Sequence, residues 1–104
     1  MQIDTLKIES TPEVSVIVPC RNEADCIEES VRSILDQEPV PGGFELIVSD
    51  GLSTDRTRDI LERLACEDDR LTVIDNPGLM VSTGLNAGIA AARGRIIIRM
   101  DAHT

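Results

Sequence analysis

Past residue 13 the chain alternates between short apolar runs and stretches of helical periodicity. Val14-Ser15-Val16-Ile17-Val18 reads as a buried strand, stopped by Pro19. From Ala24 to Gln37, Ile27, Val31, Ile34 and Leu35 recur at i, i+4, i+7 and i+8, which places them on one face of a helix. Glu23, Asp25, Glu28 and Glu29 crowd its start, where the helix dipole favours acids. Pro39, Pro41, Gly42 and Gly43 form the turn out.

Phe44 to Val48 is the second predicted strand. Ser53, Thr54 or Asp55 can cap a second helix, with Ile60, Leu61, Leu64 and Ala65 on its apolar face. Leu71 to Ile74 is a third strand, broken by Asn76-Pro77-Gly78. A helix from Val81 to Ala92 follows, with Leu85, Ile89 and Ala92 on one side. Arg95 to Met100, centred on three isoleucines, is the fourth strand. Residues 1–13 read as a lead-in, with Ile3, Leu6 and Ile8 loosely alternating. Continuously apolar strands separated by helices predict an α/β fold: a three-layer, Rossmann-like parallel sheet with right-handed crossovers.

Composition narrows the function. There are 19 acidic residues against 10 basic ones, a net charge of −9, which argues against a nucleic-acid or anionic-membrane surface. Phe44 is the single aromatic residue, too few for a base-stacking platform, so the core must come from Ile, Val and Leu. No apolar run is long enough to span a bilayer, and the amino terminus lacks the pattern of a secretory signal. Cys20, Cys26 and Cys66 form an odd set without C-x-x-C, which fits a reducing cytoplasm.

In a parallel sheet the segments leaving the carboxyl ends of the strands share one edge, where ligands bind. Here those segments are residues 19–23, 49–53, 75–78 and 101–103, and each carries acids, amides or both. Neither G-x-G-x-x-G nor G-x-x-x-x-G-K-[ST] is present. Carboxylates can instead hold a ribose hydroxyl, accept from a base N–H, or bind a metal that neutralises a diphosphate. Each residue also has a plainer explanation. Asp50 before Gly51 can end a strand in a turn, and Asn22 can be a helix cap. Glu23 can serve the dipole, while Gly84 and Gly88 suit a packing notch. Cys20 has no neighbouring histidine in sequence to activate it. His103 alone falls short of a zinc ligand set, although Asp101 two residues earlier could share an ion with it.

Taken together, Val14 to Glu23 (V-x-V-I-V-P-x-x-N-E), D-G-x-S-x-D-x-T from Asp50, Asn76-x-Gly78, Gly84-x-Asn86-x-Gly88 and Asp101-Ala102-His103 resemble family 2 glycosyltransferases over residues 14–104. Residues 81–88 and 99–103 are similar to bacterial exopolysaccharide enzymes of the succinoglycan type. The resemblance implies the A-type nucleotide-sugar fold and an inverting transfer from a uridine-linked donor to a glycan or lipid-linked acceptor. It implies that Pro19, Asn22 and Glu23 lie along the nucleoside and that Asp50 accepts from the pyrimidine N–H. Asp101 and His103 would match the D-x-D element, holding ribose and a divalent metal, Mn²⁺ or Mg²⁺. Three departures stand out: His103 replaces the metal-side acid, Asp50 is followed by glycine rather than a second acid, and Leu85 stands where an Arg often precedes the Asn of the third helix.

The resemblance also implies an amino-terminal piece of a longer cytoplasmic protein, acting at the inner face of the membrane, with general base and acceptor pocket beyond Thr104. A non-catalytic nucleotide-binding module and a nucleotidyltransferase are the alternatives. In the expected strand order 3-2-1-4 the fourth strand is an exposed apolar edge, which predicts self-association.

Overall fold

The computed structural model describes residues 11–37 and 40–102. The expectations for Ile3, Leu6, Ile8, Pro39 and His103 therefore lie outside the described residues. Seven elements alternate: β1 (Val14–Cys20), α1 (Ile27–Leu35), β2 (Phe44–Asp50), α2 (Thr57–Glu67), β3 (Leu71–Asp75), α3 (Val81–Ala91) and β4 (Ile96–Arg99). The four strands form one parallel sheet in the order β3-β2-β1-β4.

The two faces follow from the two-residue period of a strand. Even-numbered residues of the central strands (Val14, Val16, Val18, Leu46, Val48) pack with Ile27, Val31, Ile34 and Leu35 of α1 and with Leu61 and Leu64 of α2. Odd-numbered residues face α3: Ser49 Oγ donates to the Gly84 carbonyl at 2.8 Å, and Ile17 lies under Gly88. The apolar faces expected for α1 and α2 are the buried ones.

Three local expectations change in the strands and the first two helices. Pro19 does not stop β1, which pairs with β2 through Cys20↔Asp50. Strand alternation points the missing N–H of Pro19 toward β4, past the last β1–β4 pair, Ile17↔Arg99, so no ladder bond is lost. Helix α1 starts at Ile27 rather than Ala24, because residues 24–26 form a turn tied to the next loop. None of Ser53, Thr54 and Asp55 occupies the N-cap of α2; Arg56 does, while Asp55 Oδ1 accepts from the Thr57 N–H at 2.9 Å.

In α3 the buried residues are Gly84 and Gly88, while Ile89 is exposed. The helix approaches the sheet so closely that a Cβ at Gly88 would collide with the Ile17 side chain. The absence of side chains, rather than an apolar stripe, selects this face.

Candidate functional site

The carboxyl ends of the strands open onto a cleft of about 380 Å³, lined chiefly by Pro19, Arg21, Glu23, Asn76, Met80 and Asp101. Three of the expected site residues, Pro19, Glu23 and Asp101, therefore share one wall system. They come from β1, the loop after it and the segment after β4. Asn22 and Asp50 do not line the cleft; they hold its loops in place.

Asn22 joins the first two loops. Its Oδ1 accepts from the backbone N–H groups of Thr54 and Asp55 at 2.7 and 3.2 Å, and its own N–H donates to Ser53 Oγ at 2.8 Å. The Glu23 N–H donates to Thr57 Oγ1 at 2.8 Å, and the Ala24 N–H to Asp55 Oδ2 at 3.3 Å. Hydrogen bonds from Thr57 hold the Asp55 carboxyl below its ordinary range. Asp50 is buried at 1% exposure. Its Oδ1 accepts from the Ser53 N–H and hydroxyl, and its Oδ2 lies 3.3 Å from Arg58 Nη1.

The three non-glycine residues with positive φ among the described residues are Asn22 (54°), Leu52 (56°) and Leu79 (68°). One sits in each loop leaving β1, β2 and β3. For leucine the left-handed region costs roughly 1–2 kcal/mol, and Leu79 carries that strain on the cleft wall.

Asn76, 3% exposed, donates its backbone N–H to the Asp50 carbonyl and its Nδ2 to the Met80 carbonyl at 2.9 Å, fixing the entry to α3. Arg21 Nε donates to the Gly51 carbonyl at 2.8 Å, placing a cation on the cleft wall. Sequence reasoning assigned no role to Leu79, Met80, Val81 or Arg58. Arg58 carries no motif signal, yet it bridges Asp75 at 2.6 Å and Asp50, and its pKa is raised, foremost by the Asp75 hydrogen bond. Cys20 is a poor nucleophile, since burial and then the Asp50 and Glu23 charges push its thiol up to about 12.

No group of three or more potential metal ligands gathers among the described residues, so a closed protein cage is not formed there. A divalent ion bound mainly through a diphosphate needs only one or two protein donors. Asp101 fits that mode: it lines the cleft, 52% exposed at the side chain, with Arg99 at 3.2 Å.

The family model for "Glycosyl transferase family 2" matches residues 15–104. The chain belongs to this family. It is 39% identical over 90 residues to the succinoglycan biosynthesis protein ExoA of Rhizobium meliloti (strain 1021), covering 85% of this chain and 27% of that protein. Among solved structures it resembles the mannosyltransferase PcManGT of Pyrobaculum calidifontis, in complex with GDP-Man and Mn²⁺. That match has TM-score 0.78 and 34% identity over 88% of this chain and 28% of that one. It also resembles S. aureus TarS 1–349 in complex with UDP-GlcNAc, with TM-score 0.74 and 29% identity over 86% of this chain and 26% of that one. The chain thus spans about a quarter of the length of each of these relatives. The fold is the α/β, Rossmann-like architecture of the A-type glycosyltransferases.

Proposed function

We propose that the cleft binds a nucleoside-diphosphate sugar, uridine-linked, for inverting transfer to a glycan or lipid-linked acceptor in cytoplasmic polysaccharide synthesis. The observation that carries this reading is the convergence of Pro19, Glu23 and Asp101 on one cleft at the carboxyl edge of a family 2 sheet. The succinoglycan protein supports the polysaccharide assignment, and the UDP-GlcNAc complex of TarS supports the uridine one. Three unpaired thiols suit a reducing compartment.

In this reading Pro19, Asn22 and Glu23 shape the nucleoside wall, with Glu23 toward the ribose. Asp50, buried at the end of β2 and bonded to Ser53 and Arg58, stands behind the cleft lining at the base-selective end of the site. Glu23 and Asp101 would repel a bare diphosphate, and Arg21 supplies a single compensating cation. Asp101 and His103 would hold a divalent ion, Mn²⁺ or Mg²⁺, whose chemistry is to neutralise the leaving diphosphate. The acceptor oxygen forms the new bond to the anomeric carbon as the bond to the diphosphate oxygen breaks, and the hydroxyl proton passes to a base. Asp50 and Asp101 are committed to the donor, so we assign no base here. On this reading the 104-residue chain binds donor without turnover.

Titration calorimetry with UDP, GDP and ADP, with and without Mn²⁺, tests the proposal. UDP should bind best, Mn²⁺ should strengthen it, and Asp101→Ala and His103→Ala should each remove that gain. Loss of the UDP preference in Asp50→Ala would support the base assignment. Equal, metal-indifferent affinities for all three nucleotides would overturn the reading.

A further inference from the structure

The segment carrying Asp101 leaves the sheet after β4, whose last ladder contact is the Met100 N–H donating to the Ile17 carbonyl at 3.0 Å. Beyond that point Ala102 is held twice. Its methyl group is buried among the core residues, at 4% exposure. Its carbonyl accepts from the Ser30 hydroxyl and from the Cys26 thiol, the latter at 3.7 Å.

Both donors come from the start of α1, four residues apart and therefore on one side of it. Each gives up a local role. A helical serine hydroxyl can bond the carbonyl four residues back, which here is that of Cys26. The Ser30 hydroxyl reaches 72 positions along the chain instead. Cys26 is the N-cap of α1 yet makes no capping hydrogen bond. Its thiol is shared between the Ala102 carbonyl and Glu23 Oε1 at 3.5 Å, and burial followed by the Glu23 hydrogen bond raises its pKa. One cysteine therefore joins the carboxylate on the first wall of the cleft to the backbone on the second.

We propose that Ser30, assisted by Cys26, is a positioning residue for the segment that carries Asp101. By fixing the Ala102 carbonyl against α1 it sets where the Asp101 carboxylate stands relative to Glu23. This rests on the metal–diphosphate reading of the cleft. It does not require Ser30 to touch donor or metal.

The test measures UDP affinity with and without Mn²⁺ in the protein and in Ser30→Ala, Ser30→Thr and Cys26→Ala, each first checked for a cooperative urea transition. Ser30→Ala should reduce the Mn²⁺-dependent gain about fivefold, the scale of one hydrogen bond, and leave metal-free UDP binding within about twofold. Ser30→Thr, which keeps the hydroxyl, should restore the gain. Cys26→Ala should shift it in the same direction by a smaller factor, and carries the test if Ser30→Ala does not fold. An undiminished gain in Ser30→Ala overturns the proposal, as does an equal loss with and without metal. Absence of any Mn²⁺ gain in the unmodified protein overturns the metal reading itself, and this inference with it.

Discussion

The Arg58 guanidinium stands 3.3 Å from the Asp50 carboxylate, and the same nitrogen donates to Asp75 at 2.6 Å. The two acids end adjacent parallel strands in register, Asp50↔Asp75, so their charges would otherwise repel side by side. One helix residue thereby fixes the ends of β2 and β3 and holds the acid expected to read the base. Arg58→Ala should lower stability by about 1–2 kcal/mol, discounted because Arg58 is partly exposed. Urea denaturation measures this. An unchanged midpoint would show that Ser53 alone suffices for Asp50.

The tight seat of α3 gives a second expectation. Gly88→Ala must push against Ile17 in the centre of the sheet. Overpacking of this kind costs roughly 1–3 kcal/mol, and Ile17→Val in the same chain should recover part of it. A thermal melt of the two variants decides; a Gly88→Ala protein as stable as the parent would mean that α3 can lift without cost.

The strands and the order of elements were legible because Val, Ile and Leu runs alternate with helical periodicity at regular spacing. The seating of α3 was legible in Gly84 and Gly88, whose spacing suits a packing notch, but not in apolar periodicity. That rule places Leu85, Ile89 and Ala92 inward, whereas Gly84 and Gly88 make the contact and Ile89 stays exposed. At the cleft, the loops that carry Pro19, Glu23 and Asp101 could be placed because each follows a strand's apolar core, while the residues themselves were singled out by the family resemblance. Arg58 could not, since its importance arises from the register of β2 and β3, which no local pattern encodes. Asn22 was visible as a loop residue, but its bonds to Thr54 and Asp55 lie 32 and 33 positions away along the chain.

Glu45 supplies a pH prediction. At the amino end of the sheet it is 6% exposed. It accepts from Ser15 Oγ at 2.6 Å and from the Arg93 N–H at 2.7 Å, with the Arg93 guanidinium at 3.3 Å. Burial pushes its carboxyl up, but the bonds from Ser15 and Arg93 outweigh burial and leave it below its ordinary 4.5. A carboxyl whose pKa falls on folding stabilises fully above the unfolded value, and that contribution is lost as pH drops through the folded one. Glu45→Gln should therefore cost about 1–3 kcal/mol at neutral pH, as for a lost charged hydrogen bond, and less in acid. Urea midpoints from pH 7 down to about 3 should converge between parent and variant. A constant gap at every pH would assign the loss to shape rather than charge.

The outermost strand on one side of the sheet is β4, and its isoleucines remain open: Ile96, Ile97 and Ile98 are 46, 42 and 43% exposed, and Met100 39%. Ile98 and Met100 also line an apolar groove with Val16 and Ile34, of about 270 Å³. An unpaired edge with apolar side chains on both faces is a template for another strand. The expected occupant in a solution of this 104-residue chain is the β4 edge of a second copy, which would pair the open backbone edge and set isoleucine beside isoleucine on each face. Sedimentation at about tens of micromolar, within the range where such edges associate, should show a dimer or larger species. Ile97→Lys, which puts a charge on the edge strand without entering the groove shared with α1, should return it to monomer. A clean monomer for the unmodified chain at that concentration would overturn the edge argument, because it would mean that the isoleucines are tolerated in water without a partner.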